Sequence, residues 1–92
     1  MGKRIGCIVY DRNRDCCTVR YNGDRYAEIP ENSEFKVLNG NKWIDAIITR
    51  SLYGYWILLG VDINRSPTGT CILIDVDNNG RYLPKIKKNI WE

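Results

Sequence analysis

The stretch from residue 34 to residue 60 constrains the fold most, because three short apolar runs alternate there with two compact turns that contain glycine. It reads EFKVLNGNKWIDAIITRSLYGYWILLG. The Asn39-Gly40 pair between the first two runs is a strong β-hairpin signal, because both residue types tolerate a positive φ angle. Gly54 punctuates the second turn in the same way. This stretch therefore predicts a β-meander of three antiparallel strands.

Similar runs of β-branched and aromatic residues, bounded by turn residues, recur along the whole chain. They predict strands at residues 5–10, 16–21, 26–29, 34–38, 42–50, 55–59, 70–76 and 81–86. No segment shows the 3.6-residue period of an amphipathic helix. Many short strands joined by tight turns are typical of a sandwich or a small barrel, and an Ig-type sandwich uses around 100 residues. We therefore expect the 92 residues to form one all-β domain over residues 1–92, a small, strongly bent barrel of the SH3-like or OB-like kind with an additional C-terminal hairpin.

The central hairpin of this predicted barrel is apolar on both faces. Trp43 and Ile47 lie on one face of its first strand, and Ile44 and Ile48 lie on the other. The core covers one face, so the second face needs another cover. Two covers stay open at this point, the C-terminal segment and a second copy of the chain, and the second predicts a homo-oligomer.

The pattern of apolar and glycine residues in the meander resembles that of a known family. A strand and turn of the form Gly-x-x-x-Tyr-Asp at residues 6–11 adds to the resemblance. The meander residues that carry it are Phe35, Val37, Leu38, Gly40, Trp43, Ile44, Ile47, Trp56, Leu58 and Gly60. The chain resembles, over roughly residues 5–60, an uncharacterised family of short β-rich proteins from Gram-positive bacteria, their phages and their plasmids. The resemblance implies a mobile-element origin and assigns neither an activity nor a functional residue.

Catalytic chemistry has few candidate residues in this chain. There is no histidine, so no side chain has an unperturbed pKa near neutrality. Asp75 and Asp77 are spaced to share one face of a strand end, but Asp77 begins the sequence Asp-Asn-Asn-Gly, which is typical of a turn. The same turn lacks the downstream acidic ligand of a calcium loop. The sequence therefore predicts that the protein is not an enzyme.

Four cysteines are present, Cys7, Cys16, Cys17 and Cys71. Zinc sites use cysteine pairs separated by two to four residues, and none of these spacings fits. Adjacent residues of a strand also point to opposite faces, so Cys16 and Cys17 do not converge on one ion. We expect reduced thiols, with Cys7, Cys71 and one of the adjacent pair acting as small core residues, and no metal or other cofactor.

Charge and hydropathy limit the partners of the chain. The net charge of +3 and the pI of about 8.7 are milder than is typical of a dedicated duplex-binding domain. Basic residues lie near both ends of the sequence, so an anion-attracting face is expected if the two ends meet. No apolar run approaches the ~20 residues of a membrane span. These features predict a cytoplasmic protein that makes no membrane contact, and the resemblance implies that the cytoplasm is that of a bacterial host.

Aromatic residues on and beside the second turn of the meander are the best site candidates, because side chains on turns are often exposed. Arginine side chains are available to stack on these rings or to recognise phosphate and carboxylate groups. The predicted ligand-binding or partner-binding residues are Arg50, Tyr53, Tyr55, Trp56, Arg25 and Arg65.

Binding without catalysis is the function that these features favour. Together with the mobile-element origin that the resemblance implies, they lead us to expect an accessory protein of a phage or other mobile element that binds its target stoichiometrically and inhibits a host defence system. The expected target is a host defence protein, which it captures, or a signalling nucleotide, which it sequesters. The alternative is a small barrel that binds single-stranded nucleic acid through the exposed aromatic rings and the basic ends. A nucleotide hydrolase is the least favoured class, because the chain has no histidine to act as a general acid or base.

Overall fold

The computed structural model describes residues 2–61 and 66–88, which form β-strands and the turns between them. The strands are β1 (Gly2–Asp11), β2 (Cys16–Tyr21), β3 (Arg25–Ile29), β4 (Ser33–Asn39), β5 (Lys42–Arg50), β6 (Trp56–Leu59), β7 (Cys71–Val76) and β8 (Lys85–Ile86). The all-β prediction is confirmed, and the first seven predicted strands agree with these bounds to within three residues. Membrane-spanning helices are not found in the part of the chain that the structure describes.

The strands form one antiparallel sheet in the order β3-β2-β1-β7-β4-β5-β6. Strands β1 to β3 make one meander and β4 to β6 make the other, each by pairing strands that are consecutive in the chain. The late strand β7 lies between the two meanders and pairs with β1 on one side and β4 on the other. Strand β7, in the C-terminal part of the chain, therefore joins the two meanders.

The sheet is not closed into a barrel, which corrects the expectation of an SH3-like or OB-like barrel. Closure needs the two end strands to pair, and β3 and β6 share no ladder within residues 2–61 and 66–88. The chain instead passes from β3 to β4 through a tight turn that bonds to β5. The backbone N–H of Asn32 donates to the carbonyl of Ile48 at 2.7 Å, and the Thr49 hydroxyl donates to the Asn32 side-chain oxygen at 2.7 Å.

Strand β1 changes partners along its length. Residues 2–7 pair with β7, and residues 6–11 pair with β2. A Cβ atom at Gly6 would lie 2.5 Å from a methyl carbon of Val19 and 2.9 Å from the carbonyl oxygen of Arg20. Only glycine permits this close approach, because any other residue would push β2 away.

The hydrophobic core lies on one face of the sheet, which we call the inner face. It receives side chains from the first seven strands, so both meanders and β7 share it. Its buried members are Ile8, Cys17, Val19, Tyr21, Ile29, Phe35, Val37, Ala46, Ile48, Leu58, Ile72, Ile74 and Val76.

The burial of the four cysteines differs from the prediction. Cys16 and Cys17 are buried, whereas Cys7 is half-buried and Cys71 is exposed, so the core role predicted for the last two is wrong.

The predicted C-terminal hairpin forms only in part. The Asp77 carboxylate accepts hydrogen bonds from the backbone N–H groups of Arg81 and Asn79, and these bonds lower the pKa of Asp77. After this turn the chain returns to β7 at a single bridge between Val76 and Tyr82. It then leaves β7, and β8 pairs with β4 at Ser33 and Glu34.

Candidate functional site

The turn between β5 and β6 carries the two most exposed large apolar side chains of the described residues. Leu52 is 95% exposed and Tyr53 is 87% exposed, and Tyr55 on the same turn is 60% exposed. The rings of Tyr53 and Tyr55 stack with their centroids 6.4 Å apart and their planes 14° apart. We call Leu52, Tyr53 and Tyr55 the hairpin tip.

Local hydrogen bonds hold the backbone of this turn in one conformation. The N–H of Ser51 donates to the carbonyl of Tyr55 at 2.8 Å, and the N–H of Gly54 donates back to the carbonyl of Ser51 at 3.0 Å. The Ser51 hydroxyl accepts a further bond from the N–H of Tyr53 at 3.2 Å. Gly54 has a φ of 91°, which side chains other than hydrogen rarely allow. The hairpin tip is therefore preorganised, and a partner that binds it orders little additional backbone.

Arg50 supports the turn from the end of β5. Its guanidinium carbon lies 4.4 Å from the centre of the Trp56 ring, and its Nη1 donates to the carbonyl of Gly54 at 2.8 Å. Arg50 and Trp56 are directly opposite each other in the β5–β6 ladder, so the cation–π contact follows from the strand register. Trp56 also packs against the hydrophobic core. Arg50 and Trp56, both predicted site residues, therefore support the hairpin tip, and we call them its base.

The Arg50 guanidinium also reaches two other turns. Its Nη2 donates to the backbone carbonyl of Asp15 at 2.8 Å and lies 3.0 Å from Asp15 Oδ2, in the turn between β1 and β2. Its Nε lies 3.8 Å from the carboxylate of Glu31, in the turn between β3 and β4. One side chain thus connects the three turns at this end of the molecule.

The Asp15 carboxylate is stabilised in its charged form. The Tyr10 hydroxyl donates to Asp15 Oδ1 at 2.7 Å and is the largest cause of a lowered pKa at Asp15, with Arg50 acting in the same direction. The same hydrogen bond raises the pKa of Tyr10. The Trp56 N–H also lowers the pKa of Asp15, but it makes no hydrogen bond of normal length and angle, and its effect is smaller than those of Tyr10 and Arg50.

A shallow apolar depression adjoins the hairpin tip. It has a volume of about 470 Å³ and is lined by Tyr10, Cys17, Tyr55, Trp56 and residues 66–68. This volume falls within the range of about 300–1,000 Å³ that is common for small-molecule sites. Burial raises the pKa of Cys17 to about 12, so this thiol lines the depression as an apolar group rather than as a nucleophile.

A second depression collects charged residues from both ends of the sequence. Lys3 lies 2.6 Å from Asp75, and Lys36 lies 2.8 Å from Asp45. The complete charged lining comprises Lys3, Lys36, Lys85, Glu34, Asp45 and Asp75. Positive and negative side chains are equal in number there, so this depression is not the anion-attracting face that the sequence led us to expect.

The structure brings four of the six predicted site residues together, namely Arg50, Tyr53, Tyr55 and Trp56. Arg25 lies at the opposite end of the sheet, where its Nη1 donates to the carbonyl of Asn79 at 2.8 Å. Arg65 lies outside the described residues.

Three residues of this region were not predicted from the sequence. Leu52 had a visible signal, because it is a large apolar residue between Ser51 and Tyr53 in a turn, where polar residues are usual. Asp15 and Glu31 had none, because only the folding of the chain brings their turns to Arg50.

Comparisons with protein-family models, with curated proteins and with solved structures find no match for this chain. The resemblance to the family of short bacterial and phage proteins therefore stays a prediction from the sequence. Across the described ranges 2–61 and 66–88, no three cysteine, aspartate or glutamate side chains form a group that could hold a metal ion. The hairpin tip and the adjoining depression are thus the surface features that bear on function.

Proposed function

We propose that the protein acts by stoichiometric binding to another protein, with the hairpin tip entering an apolar pocket of that partner. The observation that carries this proposal is the exposure of Leu52, Tyr53 and Tyr55 on a turn whose backbone is fixed by hydrogen bonds. Tyrosine supplies a large contact area at small entropic cost and is enriched among the residues that dominate binding energy. A preorganised apolar projection is well suited to a pocket on a protein surface.

The charges near the hairpin tip favour a protein partner over a nucleic acid. A single strand needs cations for its phosphates beside the rings on which its bases stack. The charge of Arg50 is already matched by the carboxylates of Asp15 and Glu31. Arg25 is bound to the turn after β7 at the other end of the sheet. Neither of these two predicted arginines offers an unmatched charge beside the tip.

The biological setting that we propose is that of a phage or mobile-element accessory protein that captures a host defence protein in the bacterial cytoplasm. The sequence resemblance over residues 5–60 supports this setting. Inhibition by capture needs a rigid scaffold with a strong contact surface and no catalytic group, which agrees with the proposed binding mode.

A second candidate function is the sequestration of a signalling nucleotide, and one observation favours it. The depression beside the hairpin tip is lined by the rings of Tyr10, Tyr55 and Trp56, and aromatic rings stack well on nucleobases. This candidate uses the depression, whereas the protein-binding proposal uses the exposed end of the turn. Leu52 separates them, because it belongs to the tip and does not line the depression.

Site-specific photo-crosslinking tests the proposal. A photoreactive amino acid replaces Leu52 in the protein expressed in a bacterial host, and the matched control places it at Tyr26, which is 68% exposed on β3. We expect one discrete protein adduct at position 52 and none at position 26. With that protein purified, Leu52→Ala should weaken binding by about 1–3 kcal/mol, which is roughly 5-fold to 150-fold in Kd. Equal crosslinking at the two positions, or equal affinity of Leu52→Ala and the unaltered protein, contradicts the proposal.

The nucleotide candidate has its own measurement. Tryptophan fluorescence is followed while a cyclic dinucleotide or a single-stranded oligonucleotide is titrated into the protein. Binding that is lost in Tyr55→Ala and kept in Leu52→Ala would move the function from the hairpin tip to the depression. If neither probe binds, protein capture remains the proposed function, and the crosslinking experiment tests it.

A further inference from the structure

Cys7 and Cys71 lie directly opposite each other in the ladder between β1 and β7. Opposed residues of adjacent antiparallel strands project from the same face of the sheet. That face is the outer one, because the next residue along β1, Ile8, is buried in the core. Both cysteines are free thiols, with Cys7 half-buried and Cys71 exposed. We propose that this pair is an oxidation site, at which a small disulfide such as oxidised glutathione generates a disulfide bond between β1 and β7.

A hydrogen bond beside the pair shows that the two strands are close at this point. The N–H of Ile8 donates to the carbonyl of Thr70 at 3.0 Å, so the bond connects two residues that each adjoin one of the cysteines. A bond in this position marks Cys7 and Cys71 as a non-hydrogen-bonded pair, in which the Cα atoms are about 4.5 Å apart. Disulfides span Cα separations of about 4.4–6.8 Å. A disulfide bond between Cys7 and Cys71 can therefore form without separating the strands.

The surroundings of the pair suit an anionic disulfide as the oxidant. Arg20 is the partner of Cys7 in the other ladder of β1, so an exposed cation adjoins the thiols on the same face. A positive side chain raises the local concentration of a small anion such as oxidised glutathione. The Cys7 thiol contacts the carbonyl of Ile8 at 3.7 Å, and a thiol is a weak donor, so little is lost when Cys7 turns towards Cys71.

The reaction proceeds by two thiol–disulfide exchanges. The Cys71 thiolate attacks one sulfur of oxidised glutathione, so a mixed disulfide forms, the glutathione S–S bond breaks and one glutathione thiolate leaves. The Cys7 thiolate then attacks the Cys71 sulfur and releases the second glutathione thiolate. The two cysteines lose two electrons and two protons in total, and one glutathione disulfide becomes two glutathione thiols.

The other two cysteines provide a contrast within the same chain. Burial raises the pKa of Cys16, and it raises the pKa of Cys17 to about 12, so their reactive thiolate forms are disfavoured. Neither faces a cysteine across a ladder, because Cys16 pairs with Asp11 and Cys17 pairs with Tyr10 and Ile29. Oxidation should therefore be selective for the pair on the outer face.

Mass spectrometry of the full chain in buffers of graded oxidised and reduced glutathione tests the proposal. The unaltered protein should lose two hydrogens, and digestion should yield a linked pair of peptides that contain Cys7 and Cys71. Cys7→Ser should stop at a glutathione adduct on Cys71, because the second thiol is missing. Cys71→Ser should give no linked peptides, and the matched control Cys16→Ser should behave as the unaltered protein does.

Thermal unfolding supplies a second measurement. The bond closes a long loop that contains β2 to β6, so oxidation should raise the Tm of the unaltered protein by about 10 °C or more. Oxidation should leave the Tm of Cys71→Ser unchanged. The proposal is overturned by linked peptides that contain Cys16 or Cys17, or by a glutathione adduct on Cys71 that persists while Cys7 is present. Since neither cysteine belongs to the hairpin tip, these outcomes are independent of the proposed binding function.

Discussion

Arg50 and Asp15 are 35 positions apart in the chain and are joined by two contacts of one guanidinium nitrogen. Nη2 of Arg50 lies 2.8 Å from the Asp15 backbone carbonyl and 3.0 Å from its carboxylate. Asp15 belongs to the turn of the first meander, and Arg50 ends the second strand of the other. Because β3 and β6 share no ladder in the described residues, this contact holds the two halves together where strand pairing does not.

Removing the Arg50 side chain should therefore lower the free energy of unfolding. Arg50→Ala loses the contact with Trp56 and the hydrogen bonds to the carbonyls of Gly54 and Asp15, and we expect a loss of about 1.5–3 kcal/mol. Arg50→Lys should recover only part of it, because an ammonium group lacks the planar fork that makes these contacts together. Urea unfolding followed by tryptophan fluorescence measures the change, with Arg12→Ala as the control. Unfolding midpoints equal to that of the control would show that Arg50 is not a structural support.

Acidification should weaken the fold through carboxyl groups whose pKa is lowered in the folded state. Asp15, Asp45 and Asp77 all belong to this group. A lowered folded pKa means that the stabilisation is complete above the unfolded value of about 4 and is lost as the pH falls through the folded value. Urea midpoints should therefore fall between about pH 5 and pH 2.

Asp15→Asn isolates the share of this effect that comes from the Tyr10–Asp15–Arg50 contacts. The variant should have a lower urea midpoint at neutral pH than the unaltered protein and a smaller decrease on acidification, since the titrating group is gone. Asp24→Asn, in the turn before β3, is the control. An acid response as large in Asp15→Asn as in the control would exclude Asp15 as a contributor.

Gly6→Ala should destabilise the protein by about 1–3 kcal/mol, because the added methyl group would overlap Val19 and the Arg20 carbonyl at the point where β1 changes partners. Gly2→Ala is a matched control on the same strand, since a Cβ there meets its nearest atom, on the Arg4 side chain, at an ordinary 3.5 Å. Thermal unfolding of both variants tests the comparison. A Gly6→Ala protein as stable as Gly2→Ala would mean that β1 and β2 are less closely packed.

The hairpin tip and its base should respond differently to truncation. Tyr53→Ala should change the free energy of unfolding by less than about 0.5 kcal/mol, because its side chain is exposed, while it weakens partner binding. Trp56→Ala should cost about 3–5 kcal/mol, because Trp56 packs against the core. Chemical unfolding of the two variants separates these roles. A large loss of stability in Tyr53→Ala would remove it from the proposed contact surface.

Local structure followed closely from local sequence. The Asn39-Gly40 and Gly54 signals correctly predicted both turns of the second meander, where Gly40 and Gly54 have φ angles of 65° and 91°. Turn chemistry acts over a few residues and is visible in the order of the chain. The segment after Gly80 was predicted less well, because an isolated bridge and a two-residue strand carry little pattern of their own.

The sequence by itself determined which segments are strands, where they turn and which turn is rich in aromatic residues, since these depend on side-chain shape and backbone freedom over short distances. The tertiary structure alone decided that β7 lies between the two meanders and that the sheet stays open. It also decided that Arg50 meets Asp15 and that Cys7 faces Cys71. These pairings depend on which sheet edges meet when all strands bury one shared core. The whole chain sets these pairings together, so the paired residues carry no local sequence pattern that would predict them.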